Sequence, residues 1–123
     1  MSAARAPKEF LPLSQTNYRI LESLIDGPKH GYAIIKDVDK RSGGEFELAV
    51  GNLYVALKRL LDDGLIERAE EPSVEGGRQR NTFKVSSLGE EVFQAETQRL
   101  ATLLRTNPLV RSGRFRLSPH VEG

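Results

Sequence analysis

The hydrophobic period of this chain changes at Gly64, and that change restricts the folds open to it. Upstream, apolar residues recur with helical spacing in three successive segments. Immediately downstream they alternate as strands do, and after Ser87 the helical spacing returns. A chain of 123 residues with this order has room for one domain of three helices, a hairpin and a further helix.

The first helix opens at Leu13-Ser14-Gln15-Thr16-Asn17-Tyr18. Ser14 is placed to cap the free amides, with Leu13 and Tyr18 at the spacing of a hydrophobic staple. Ile20, Leu21, Leu24 and Ile25 make its buried face, and Gly27-Pro28 stops it. A second helix over about His30–Lys40 turns Gly31, Ile34, Ile35 and Val38 inward and ends in the turn Ser42-Gly43-Gly44. Glu45–Leu48 alternates, which suits a very short strand or an extended linker. Leu53, Ala56, Leu57, Leu60 and Leu61 form the core stripe of a third helix over about Val50–Asp63, with Gly64 at its C-terminal cap. Two helices joined by a short glycine-containing connection suggest a helix-turn-helix.

Residues 65–70 and 81–86 are strand-like, and the glycine-rich stretch 72–80 between them carries Arg78 and Arg80, giving a hairpin with a basic tip. Ser86 or Ser87 then opens a fourth helix; Ser87 with Glu90 has capping-box spacing. Phe93, Thr97, Leu100 and Leu104 follow one face of it, widened by Ala101 and Leu103. Because this helix follows an already finished small core, its apolar face needs another surface, most simply a second copy of the chain. The expected architecture is mostly α with a small β-hairpin: a winged helix-turn-helix plus a C-terminal dimerisation helix. The divisions are a mobile N-terminal arm (1–12), the winged-helix domain (13–86), the dimerisation helix (87–106) and a tail (107–123).

Composition removes other classes. The chain has no cysteine, so disulfides, thiolate metal sites and cysteine nucleophiles are excluded. No apolar run approaches the roughly 18 residues of a membrane span, and the N-terminus lacks the apolar centre of a secretory signal. A cytoplasmic protein without a membrane partner is therefore expected. His30 and His120 lie far apart, no metal-protease motif occurs, and Gly76-Gly77 lacks the pattern of a phosphate loop. Neither catalysis nor a cofactor is expected. The net charge is only +1, so any nucleic-acid surface has to gather its positive charge locally.

Four segments in order carry a family resemblance. Gly27-Pro28-Lys29-His30-Gly31-Tyr32-Ala33-Ile34 resembles the opening of the second helix of PadR-type regulators. Gly51-Asn52-Leu53-Tyr54-Val55-Ala56-Leu57-Lys58-Arg59-Leu60 resembles their recognition helix. Gly64-Leu65-Ile66 is similar to their lead into the wing, and Gly77-Arg78 with Arg80, followed by Phe83–Gly89, is similar to the wing and the next helix start. The short last segment resembles the subfamily with a single C-terminal helix. The chain departs from the usual pattern at Ala49, Asn52, Phe83 and Ser86; the first two stand at the start of the recognition helix, where they bear on which operator is read.

The resemblance implies a sequence-specific transcriptional regulator, a repressor, that binds double-stranded DNA as a homodimer. Two recognition helices about 34 Å apart would then read an inverted repeat. On that reading Tyr32, Gly51, Asn52, Tyr54, Lys58, Arg78 and Arg80 are the candidate DNA residues. Gly51 permits close backbone approach, Asn52 could bond an adenine edge, and arginines on a wing could enter the minor groove or hold phosphates. Each has a plainer alternative: a helix cap for Asn52, core packing for Tyr32 and Tyr54, and a solvated loop near acids for Arg78 and Arg80. Of Lys58 and Arg59, only one can face DNA. His30 reads as capping or packing a helix start. Phe93, Thr97, Leu100, Leu103 and Leu104 are the dimerisation candidates. Tyr18 and Phe93, with Thr97 and Leu100, are candidates for the wall of a cleft that takes a small-molecule effector, or else plain packing. A winged helix used only for protein contacts is the competing function.

Overall fold

The computed structural model describes residues 5–69 and 81–117. Helix α1 (Gln15–Ile25) begins where Ser14 is extended and its hydroxyl accepts the Asn17 N–H at 3.0 Å. It buries Ile20, Leu21 and Leu24, whereas Ile25, expected on the same face, is the last residue of the helix and is 40% exposed. The chain then leaves the helix through Gly27, whose φ of 141° is open to glycine alone without strain. A two-residue strand, β1 (Lys29–His30), leads directly into α2 (Gly31–Arg41). His30 caps α2: its Nδ1 accepts the Ala33 N–H at 3.3 Å. Ile34 and Val38 of α2 are fully buried, while Ile35 is half-buried against the same core.

Between α2 and α3 (Val50–Asp62), residues 45–48 pair with no strand, so the extended linker is the alternative realised. Leu48 anchors that linker in the core. Helix α3 sets Leu53, Ala56, Leu57 and Leu60 inward. β2 (Ile66–Ala69) and β3 (Thr82–Val85) follow as an antiparallel pair with Ile66 opposite Val85 and Ala69 opposite Thr82. The hairpin is larger than expected by one strand: β1 adds to the free edge of β3, Lys29 opposite Phe83 and His30 opposite Thr82, giving the order β1-β3-β2. Two residues are too few to show any period, which is why this strand leaves no mark in the hydrophobic pattern.

Helix α4 (Ser87–Arg105) is capped by Ser86, not by a Ser87–Glu90 box. The Ser86 hydroxyl accepts the Gly89 N–H at 3.0 Å and donates to the Gly64 carbonyl at 2.6 Å, while the Ser86 N–H donates to the Leu65 carbonyl at 3.0 Å. These three bonds hold the start of α4 against the turn that begins the hairpin. Gly89 completes the junction, since a Cβ there would lie 1.9 Å from the Leu65 carbonyl oxygen.

Two terminal expectations are corrected. Instead of a mobile arm, residues Pro7–Phe10 form a 3-10 turn, and Phe10 and Leu11 pack on the core. Arg5 lies over the Phe10 ring at 3.9 Å and reaches Asp63 at 3.8 Å. Apolar side chains and a buried acceptor on α4, described below, supply the docking that the arm's lack of period concealed. In the tail, Asn107 caps a further helical turn, α5 (Pro108–Arg111), by accepting from the Leu109 N–H at 2.8 Å.

Candidate nucleic-acid interface

The core stripe of α3 leaves its opposite side to solvent: Gly51, Asn52, Tyr54, Val55, Lys58 and Arg59 are all exposed. Ala49 occupies the N-cap position and offers no side-chain acceptor, and no acid stands in the first turn. The first-turn amides thus receive no side-chain cap, although Asp39 and Glu47 line the groove beside Ala49 and Val50. Asn52 lies inside the first turn, so its amide group projects outward in place of the capping role that was its alternative. Gly51 has open space around its Cα, with nothing within 4 Å of where a Cβ would sit.

Tyr54 is only partly packed. It is half-exposed, 51%, and its hydroxyl lies against α2, where a Cβ on Gly31 would stand 2.8 Å from it. The missing side chain at Gly31 is what admits the phenol. Tyr32, 64% exposed, is not a core aromatic; Lys36 lies 5.3 Å from the centre of its ring. Tyr32 and Tyr54 line one cleft of about 350 Å³ with His30, Gly31 and Asn81. Three elements converge there: the start of α2, the first half of α3 and the residue preceding β3. Asn81 and His30 were not among the candidate DNA residues, and only the β1–β3 pairing brings them to this cleft.

Lys58 and Arg59 are both exposed, so neither is excluded by burial. Lys58 pairs with Asp62 one turn along at 3.5 Å, an exposed contact that a stronger anion can displace. On the sheet, Lys84 faces Glu67 at 3.9 Å and is already partly neutralised. Arg78 and Arg80 lie outside the described residues.

The effector and dimer candidates separate. Tyr18 and Phe93 stack on each other, ring centres 4.7 Å apart. The Thr97 hydroxyl donates to the Phe93 carbonyl at 2.8 Å, so the 2.6 Å contact with Tyr18 is a bond donated by the phenol. These two rings therefore fill the space between α1 and α4 within one protomer. Leu100 is half-buried, whereas Leu103 and Leu104 are exposed, and Leu109, Phe115 and Leu117 beyond them are exposed as well.

Glu96 is the residue whose role the sequence most disguised. It reads as one more acid on a solvated face, but its side chain is 2% exposed. It accepts from Arg99 Nε at 2.5 Å and Arg99 Nη2 at 3.0 Å, and from the Leu13 N–H at 3.0 Å. The Arg99 bonds, aided by the Leu13 amide and opposed by burial, hold its carboxyl below the usual carboxylate range.

A three-helix core followed by a small antiparallel sheet and a further helix makes a winged helix-turn-helix fold, the architecture of a class of transcriptional regulators. Residues 20–95 match the PadR-like family of transcriptional regulators, and the chain belongs to that family. Among solved structures, a PadR family transcription regulator from Clostridium difficile is similar at 26% identity, with a TM-score of 0.64, over 75% of this chain and 93% of that one. A PadR-like transcription factor from Bacteroides fragilis is similar at 26% identity and a TM-score of 0.62, over 73% and 84% of the two chains. A transcriptional regulator from Clostridium thermocellum shares the fold at 20% identity and a TM-score of 0.64, over 83% and 90%. An uncharacterized 37.1 kDa protein of a Streptomyces fradiae transposon is 39% identical over 84 residues, 68% of this chain; those residues span only 22% of that protein. Among the described residues no helix is long and apolar enough to cross a membrane.

Proposed function

We propose that this chain is a repressor that binds an inverted-repeat operator as a homodimer, with α3 in the major groove and the wing, residues 65–86, as the second contact. The observation that carries the reading is the outward side of α3. Gly51, Asn52, Tyr54 and Lys58 stand there exposed, next to a helix start with no acid in its first turn. Such a surface suits an anionic duplex, and it is neither the acidic nor the broadly apolar face that a winged helix used only for protein contacts would present.

The dimer rests on a second surface. Leu103, Leu104, Leu109, Phe115 and Leu117 are exposed together on the C-terminal end of α4 and the residues after it. Apolar side chains gathered in this way point to a covered interface. Two copies joined there would present two α3 helices, and the symmetry of the pair would be matched by an inverted repeat. A promoter covered by such a dimer is closed to polymerase, hence repression.

The test is selection of bound fragments from the source genome by the purified protein, each fragment then titrated at low and moderate salt. Enrichment of one inverted repeat with steep salt dependence is the expected result. Salt-sensitive binding without sequence preference would overturn the operator reading, and no binding at any salt would overturn the DNA reading altogether.

A further inference from the structure

Val55 sits in the middle of the DNA-facing side of α3, where a solvated helix would carry a charged or small residue. At about 100° per residue it lies about 200° around the helix from Leu53, and so directly away from the buried stripe of Leu53, Leu57 and Leu60. Gly51, Lys58 and Arg59 surround it. Its side chain is 59% exposed, and valine is a poor helix former that gains nothing from packing at such a position. Val50 is equally exposed, but it borders a groove with Tyr32, Ile35 and Leu48 between α2 and α3, so its exposure has a local setting. Val55 has none.

We infer that Val55 reads the C5-methyl group of a thymine, and that it is a specificity-determining residue of the operator contact. The inference rests on the DNA-binding reading of α3 given above. Around Val55 the charge and hydrogen-bonding groups suit an anionic partner: Lys58 and Arg59 on one side, Asn52 and the helix amides on the other. An apolar residue at the centre of such a surface needs an apolar feature within a polar partner. In the major groove the thymine methyl is that feature, and it separates thymine from cytosine without any hydrogen bond. Gly51, one turn before Val55, leaves room for the helix to come close enough for two small apolar groups to touch.

The experiment uses the full chain and a duplex recovered by the selection described above. Each thymine of a half-site is replaced in turn by deoxyuridine, which removes the methyl and keeps the base pair. One position is expected to weaken binding about fourfold, the worth of one buried methyl-sized group. The variant Val55→Ala is then titrated on both duplexes, and an unchanged helical signal with a melting temperature at or above that of the parent shows that it folds. The loss on removing the methyl is expected to vanish in Val55→Ala, so the two changes are coupled. Deoxyuridine without effect at every position, or an equal loss in Val55→Ala and the parent protein, would overturn the assignment while leaving α3 as a DNA-binding helix. Failure of the parent protein to bind any duplex would instead overturn the DNA reading, and this assignment with it.

Discussion

The carboxylate of Glu96 accepts the backbone N–H of Leu13 at 3.0 Å, joining the entrance of α1 to the middle of α4 across 83 residues of chain. Arg99 completes the shell of the same carboxylate. One acid thus fixes the N-terminal segment against the helix that leads to the exposed C-terminal leucines.

That contact makes stability depend on acid. The folded Glu96 carboxyl titrates below its ordinary value of 4.5 because Arg99, and then Leu13, bond its charged form. A lowered folded pKa stabilises the protein fully above the ordinary value, and the stabilisation is lost as pH falls from there through the folded value. Glu96→Gln is expected to lower stability at pH 7 by about 1–3 kcal/mol. The gap from the parent should close below about pH 4.5 in denaturant unfolding measured from pH 7 to pH 3. A gap that stays constant with pH would show that the charge of Glu96 contributes nothing.

Gly89 and Gly51 give opposite outcomes for the same substitution. A Cβ at Gly89 collides with a backbone oxygen that cannot move alone, so Gly89→Ala should destabilise by about 3 kcal/mol or more. Gly51→Ala meets open space and should stabilise the helix by up to about 1 kcal/mol. On the proposed interface it should nevertheless bind the operator less tightly, because the added methyl holds α3 away from the groove. Thermal melts and DNA titration of both variants check the pair; tighter or equal operator binding by Gly51→Ala would argue against close approach there.

Lys58 contributes little to folding, since its bond to Asp62 is between two largely exposed side chains and such pairs contribute about 0.3–0.5 kcal/mol. Lys58→Glu should therefore melt close to the parent, bind DNA more weakly, and reduce the salt slope of binding by about 1. An unchanged affinity and slope would remove Lys58 from the interface and leave Arg59 as its cation.

Leu103 and Leu104 are expected to hold two copies together. Replacing both by glutamate should convert a dimer to a monomer in sedimentation while the helical signal persists, because neither side chain belongs to the protomer core. A parent protein that sediments as a monomer at all accessible concentrations would reject this surface as the dimer contact.

Much of the architecture was legible because it is local. The caps at Ser14 and Gly64, the core stripes of α1 and α3, and the shift to alternation at the hairpin all follow from residues a few positions apart, and the helices and the β2–β3 pair form where that spacing placed them. The segments resembling the PadR pattern were equally readable, since a motif is a string. Less legible were the residues whose roles depend on neighbours from elsewhere in the chain. Glu96 looks like any surface acid until Leu13 and Arg99 surround it. Val55 looks like part of an apolar run until Leu53 and Leu57 are seen turned the other way.

What the sequence determined alone is therefore the four long helices, the β2–β3 pair, their order and the family, because hydrophobic period, capping and turn chemistry act over single turns of chain. The tertiary structure alone decided that β1 joins the sheet, that the N-terminal segment docks on α4, and that the Tyr54 hydroxyl lies over Gly31. Each of these depends on two segments distant in sequence meeting with complementary shape or hydrogen bonding, and no local pattern carries that information.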